Sequence, residues 1–113
     1  MSSYHEPEDR RYNKVYREET PDILKAFNDF DAAVFASEGR AIPLKYRELI
    51  ALGVALSTQC VYCIDGHSNN AVKAGASQQE LAEAAWVAAA MRAGGAYAHG
   101  RLAFKLTDPE HKH

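Results

Sequence analysis

From Ile23 to Phe104 the apolar residues of this chain recur at helical spacing, and nowhere do they alternate with period two over a useful length. That pattern excludes strands as the main building element and predicts an all-α fold. Local punctuation divides it. Thr20-Pro21-Asp22 is a start signal: a capping hydroxyl, a proline suited to the first helical position, and an acid at the positive end of the dipole. Ile23, Leu24, Phe27, Phe30, Val34 and Phe35 then form one apolar stripe, predicted to stop near Gly39. Pro43 opens a second helix running to Leu56, and a third is predicted from near Cys60 to near Gly75. Ser77-Gln78-Gln79-Glu80 reads as a capping box, in which the Ser77 hydroxyl meets the Glu80 amide and Glu80 reaches back. The helix it starts carries Leu81, Ala84, Ala85, Ala88 and Met91 on one face. Gly94-Gly95 is expected to end or bend it before the pattern resumes through Tyr97, Ala98, Leu102 and Phe104.

The second helix carries a further implication. From Leu49 to Leu56 it is apolar on all sides, the mark of a helix buried on all sides. A chain of 113 residues is one domain's worth and keeps much of its surface exposed, so it cannot easily bury such a helix alone. Packing of subunits against one another is the expectation. Residues 1–19 are expected to form an arm, with Tyr12, Val15 and Tyr16 at the spacing of a short docked helix. Residues 20–106 form the helical core, and residues 107–113 a loose polar tail.

Composition narrows the function classes. The net charge of −2 and the absence of a basic stripe speak against nucleic-acid binding. No apolar run approaches the ~20 residues a bilayer requires, so no membrane role is expected. The charged N-terminal stretch has no secretory pattern, which makes the cytoplasm the expected compartment. The two cysteines are too few for a disulfide-stapled secreted scaffold and lie three positions apart, a spacing that points to redox or metal chemistry.

That chemistry centres on Cys60-Val61-Tyr62-Cys63-Ile64-Asp65-Gly66-His67. On a helix Cys63 follows Cys60 by one turn and His67 follows Cys63 by another, so all three share a face. Unpaired N–H groups at the helix start favour thiolate over thiol, and His67 offers a proton acceptor beside Cys63. One thiolate can attack peroxide and become a sulfenic acid, and the other can capture it as a disulfide. The dipole favours Cys60 as the more acidic thiol, whereas the nearby imidazole favours Cys63. Glu48 stands at the edge of the most apolar helix, where a carboxylate is costly unless paired, hydrogen-bonded or protonated. A relay from Glu48 through His67 to the thiols is therefore expected.

These residues resemble the alkylhydroperoxidase D-like (AhpD-like) branch of the carboxymuconolactone decarboxylase family. The likeness spans Gly39 to Phe104 and consists of Glu48, then Cys60-x-x-Cys63-x-x-x-His67. The flanks Ile42-Pro43-Leu44-Lys45-Tyr46-Arg47-Glu48 and Lys73-Ala74-Gly75-Ala76-Ser77 share it. The resemblance implies an all-α fold assembled as a homo-oligomer, a trimer or hexamer, with the site near subunit contacts. It implies thiol-dependent reduction of a hydroperoxide, with Cys63 attacking, Cys60 resolving, and Glu48 and His67 relaying protons. No bound cofactor is implied. The implied external reductant is a dithiol donor such as a lipoyl-bearing or thioredoxin-like protein. One departure is Tyr62, which stands where some members carry a histidine between the cysteines.

Competing accounts attach to the same residues. Cys60, Cys63 and His67 are legitimate zinc ligands, but a structural site needs a fourth, from His5, His99, His111 or Glu48. A redox-sensing or zinc-binding interaction module is thus an alternative, as is decarboxylase-type chemistry on a small carboxylated ring. Ile64 excludes c-type haem attachment, which requires histidine directly after the second cysteine. Glu48 could instead be a surface acid paired with Lys45, and His67 a plain hydrogen-bonded histidine. Trp86 and Tyr97 read as core or interface residues, His99 as a helix-contact residue, and Asp65 as a dipole partner.

Overall fold

The computed structural model describes residues 7–112 and contains no strand among them. A 3₁₀ segment, Pro7–Tyr12, leads into α1 (Asn13–Glu19) and α2 (Pro21–Val34). After a connecting loop come α3 (Leu44–Thr58), α4 (Val61–Lys73) and α5 (Gln78–Leu106). No helix among the described residues is long and apolar enough to cross a membrane.

The helix α3 is the hub, packing against both α4 and α5, while α1 packs on α2 and the 3₁₀ segment. Glu48, Leu52 and Ala55, one helical face, are the buried residues of α3. Ala71, Ala76 and Ala88 join them in a core built largely of small side chains. Small residues let the helix axes approach closely, but they remove little apolar area from water. A single chain does not cover α3 on all sides: Ile50 and Val54 are 54% and 58% exposed. Trp86 and Tyr97 also lie open, which removes the core reading for both.

The dimensions agree with this open arrangement. The accessible surface is 9066 Å², against about 6,200 Å² for a compact monomer of this mass. The radius of gyration is 19.1 Å, where a compact chain of this length has about 13 Å.

Local chemistry explains the helix ends. The Ser77–Glu80 capping box is present in both directions, at 3.0 Å and 2.9 Å. Lys45 pairs with the same Glu80 at 3.0 Å and ties α3 to α5, and Arg92 donates to the Ser57 carbonyl. At the end of α4, Ala76 N–H donates to Ala71 and Gly75 N–H to Val72. This is a Schellman closure, with Gly75 at φ +103°.

Two expected boundaries move. The helix α2 ends at Val34 rather than near Gly39. Arg47 takes the Val34 and Ala36 carbonyls at 2.6 Å each and Ile42 at 2.8 Å. Arg40 takes the Ala33 carbonyl as well. These guanidinium bonds satisfy carbonyls that further helix would otherwise have used. The helix α5, in contrast, runs through Gly94-Gly95 without a break. Glycine weakens a helix but keeps its N–H, so the hydrogen-bond ladder continues.

Candidate active site

The left-handed residue Gln59, at φ 59°, ends α3 and turns the chain into Cys60. Cys60 is the N-cap of α4, and its Sγ accepts from the Cys63 N–H at 3.3 Å. A sulfur thus occupies the position where serine or aspartate normally satisfies an unpaired amide. Cys60 and Cys63 are joined by a disulfide, with Cα atoms 5.2 Å apart. Both cysteines are half-buried, within reach of small molecules in solution. In the reduced form the Cys63 amide that points at Cys60 favours negative charge on that sulfur. The structure therefore keeps the tension noted in the sequence, because the dipole acts first on Cys60 while His67 follows Cys63.

One turn beyond Cys63, His67 Nδ1 lies 2.6 Å from Glu48 Oε2. The carboxylate is almost wholly buried, at 4% side-chain exposure, and the imidazole is half-buried at 24%. A buried carboxylate requires a strong partner, and this pairing supplies one. The expected Glu48–His67 contact is thus formed across the α3–α4 crossing. The surface-pair alternative fails because Lys45 reaches Glu80 instead. With Nδ1 engaged by the carboxylate, Nε2 is the ring nitrogen through which His67 can exchange protons elsewhere.

The structure brings the four expected residues into two bonded pairs on neighbouring elements: a sulfur pair at the start of α4 and a carboxylate–imidazole pair at its middle. The register of α4 links them. Such an arrangement can take up two electrons as the disulfide opens to two thiols, and it holds the histidine one helical turn further along in a fixed orientation. Among the described residues no group of three or more His, Cys, Asp and Glu side chains is placed to hold a metal ion.

Two contributors carry no signal in the sequence. The Phe35 ring packs against His67 with centroids 4.8 Å apart, forming one wall of the imidazole site. Arg47 holds the chain on either side of Phe35 through its carbonyl bonds. Phe35 has the spacing of the α2 stripe, so its periodicity points to that stripe instead, and only the loop's path reveals its role. Tyr62, between the cysteines, donates to Asp9 Oδ2 at 3.2 Å, which ties the 3₁₀ segment to the first turn of α4. Desolvation, then the Asp9 charge, holds the Tyr62 phenol above its ordinary range. Asp65, read as a dipole partner, accepts from Asn69 within α4.

Comparison with known proteins is consistent across three measures. The family model described as "Carboxymuconolactone decarboxylase family" matches residues 21–106. A Paracoccus denitrificans protein named "Uncharacterized protein 4 in cox locus" is 45% identical over 86 residues, 76% of each chain. A Haemophilus influenzae protein is 45% identical over 51 residues, 45% of this chain and 43% of that one. Among solved structures, a Methanobacterium thermoautotrophicum protein superposes with a TM-score of 0.69 at 33% identity, covering 77% of this chain and 98% of the other. An apo carboxymuconolactone decarboxylase family protein from Legionella pneumophila gives 0.67 at 31%, covering 74% and 73%.

Proposed function

This chain belongs to the carboxymuconolactone decarboxylase family, and from that premise we propose that it is a thiol-dependent peroxidase of the alkylhydroperoxidase kind. The observation that carries the reading is the Cys60–Cys63 disulfide at the head of the helix whose next turn holds the His67–Glu48 pair.

In the reduced protein the Cys63 thiolate attacks the distal oxygen of a hydroperoxide. The S–O bond forms, the O–O bond breaks, and the departing alkoxide leaves as an alcohol after taking a proton. His67, oriented by Glu48, is the group that delivers it. Cys60 then attacks the Cys63 sulfenic acid, the S–S bond forms, and water leaves. An external dithiol, on a lipoyl-bearing or thioredoxin-like protein, returns two electrons by exchange and is itself oxidised to a disulfide. The chemistry needs no bound cofactor. Attack by Cys63 rather than Cys60 follows the family pattern, while the N-cap geometry alone favours Cys60.

The expected compartment is the cytoplasm, and the working form is a homo-oligomer. The second point is supported by about 2,900 Å² of surface beyond that of a compact monomer.

Thiol counting before and after one equivalent of an organic hydroperoxide tests the reading, using wild type, Cys60→Ser and Cys63→Ser. Wild type should lose both thiols, Cys60→Ser should stop at a trappable sulfenic acid, and Cys63→Ser should be inert. Rapid peroxide consumption by Cys63→Ser alone would reverse the two roles. No consumption by reduced wild type would sink the peroxidase reading and favour decarboxylase-type chemistry, which needs neither sulfur.

A further inference from the structure

Two apolar surfaces of this chain lie open, and neither belongs to the redox site. One is the stripe of α2, where Ile23, Phe27 and Phe30 are each more than 60% exposed. The principal neighbour of α2 is the short helix α1, so the stripe is not laid on the α3–α5 body of its own chain. The other is a groove of about 590 Å³ between α3 and α5, with Ile50 and Val54 on one wall and Ala84, Val87 and Met91 on the other.

We propose that the α2 stripe of one copy docks into the α3–α5 groove of a second copy. The proposal rests on the homo-oligomer reading above and specifies which surfaces meet.

Three observations favour a second copy as occupant. First, the lengths match. Ile23 to Val34 along the stripe, Tyr46 to Ser57 on one groove wall and Glu80 to Met91 on the other are equal helical separations, about 16 Å each. Second, the area suffices. A standard interface covers about 800 Å² on each partner. Stripe-into-groove pairing uses two different patches, so each chain contributes to two contacts. The surplus of about 2,900 Å² accommodates both. Third, the chemistry is matched: large aromatic and aliphatic side chains on the stripe face small and aliphatic ones in the groove. Burying both also covers the open side of α3, which a single chain leaves to water.

Because the patches differ, the pairing is heterologous, and this makes it testable by complementation. A stripe variant, Phe27→Asp with Phe30→Asp, keeps an intact groove. A groove variant, Val54→Asp with Val87→Asp, keeps an intact stripe. All four side chains are largely exposed in the single chain, so helicity by circular dichroism should be retained. In sedimentation velocity, wild type should be oligomeric, and each variant alone should be monomeric or dissociate about a hundredfold more readily. An equimolar mixture of the two should regain a dimer, because one intact stripe then meets one intact groove.

An oligomeric wild type whose mixed variants stay monomeric overturns the pairing and leaves the homo-oligomer reading standing. A wild type that is monomeric at micromolar concentration overturns both. Should an aspartate variant lose helicity, Phe27→Ala with Phe30→Ala and Val54→Ala with Val87→Ala carry the same test. Each alone should weaken association and the mixture should recover part of it. Absence of recovery counts against the pairing.

Discussion

His67 Nδ1 and Glu48 Oε2 lie 2.6 Å apart although 19 positions separate them in the chain. The pair bridges α3 and α4 and contains the one charged side chain among the buried residues described. A bond in that position bears on stability and, under the proposed function, on proton transfer as well, and substitutions should separate the two. Glu48→Gln keeps the shape and a hydrogen-bonding oxygen but loses the charge that steadies a proton-carrying imidazole. Peroxide turnover should fall by about 10²-fold with little change in the thermal midpoint. Glu48→Ala leaves a cavity and an unpartnered imidazole and should also cost about 2–3 kcal/mol in urea unfolding. Equal activity in wild type and Glu48→Gln would remove Glu48 from the relay.

Arg47 is expected to act on the site through Phe35. Its guanidinium spans three carbonyls, a fork that lysine cannot reproduce. Arg47→Lys should lower stability by about 2 kcal/mol and loosen the Phe35–His67 contact, read as a shift in the His67 ring proton resonances. An unmoved His67 spectrum in a destabilised variant would show that the clamp holds the loop without shaping the site.

The Lys45–Glu80 pair gives a pH signature. The Glu80 carboxyl sits below its ordinary 4.5, held first by the Ser77 backbone N–H and then by Lys45. Lys45 sits above its ordinary 10.5, chiefly through its hydrogen bond to Glu80. A lowered carboxylate adds stability above its unfolded pKa and loses it as pH falls through the folded value. A raised lysine adds stability below its unfolded pKa and loses it as pH rises through the folded value. Glu80→Gln keeps the reach-back bond to Ser77 but not the charge. It should be less stable than wild type near neutrality, and the gap in urea midpoint should close as pH drops below the carboxylate range. A gap that persists in acid would mean that the box geometry, and not the charge, carries the effect.

Glycine substitutions should divide by backbone conformation. A Cβ built at Gly94 or Gly95 meets nothing within 4 Å. Gly94→Ala and Gly95→Ala should therefore each stabilise α5 by about 0.5–1 kcal/mol. Gly75 has equally open space but stands at φ +103°, and Gly75→Ala should cost about 1 kcal/mol through strain. Thermal midpoints of the three variants check the contrast. Destabilisation at Gly94 or Gly95 would show that a neighbouring copy approaches α5 there.

The legible parts of this protein are the ones whose causes are local. The capping box, the proline starts and the Gly75 closure each depend on groups within a few residues of one another, so reading them from the chain succeeded. So did the placement of Cys60, Cys63 and His67 on one helix, because helical register alone sets their spacing. Gly94-Gly95 was ambiguous for the same reason, since a local cost without a lost donor leaves either outcome open.

The amino-acid sequence by itself determined the all-α architecture, the Cys60-x-x-Cys63-x-x-x-His67 motif of α4 and the presence of an acid at the edge of the most apolar helix. Only the tertiary structure decided that this acid turns to His67 while Lys45 turns to Glu80, and that Phe35 leaves its stripe to wall the imidazole. It also decided that the apolar sides of α2 and α3 lie open in a single chain. Those outcomes depend on how helices cross and where a loop runs. Such distances are set by packing summed over the whole chain, and no stretch of neighbouring residues contains them.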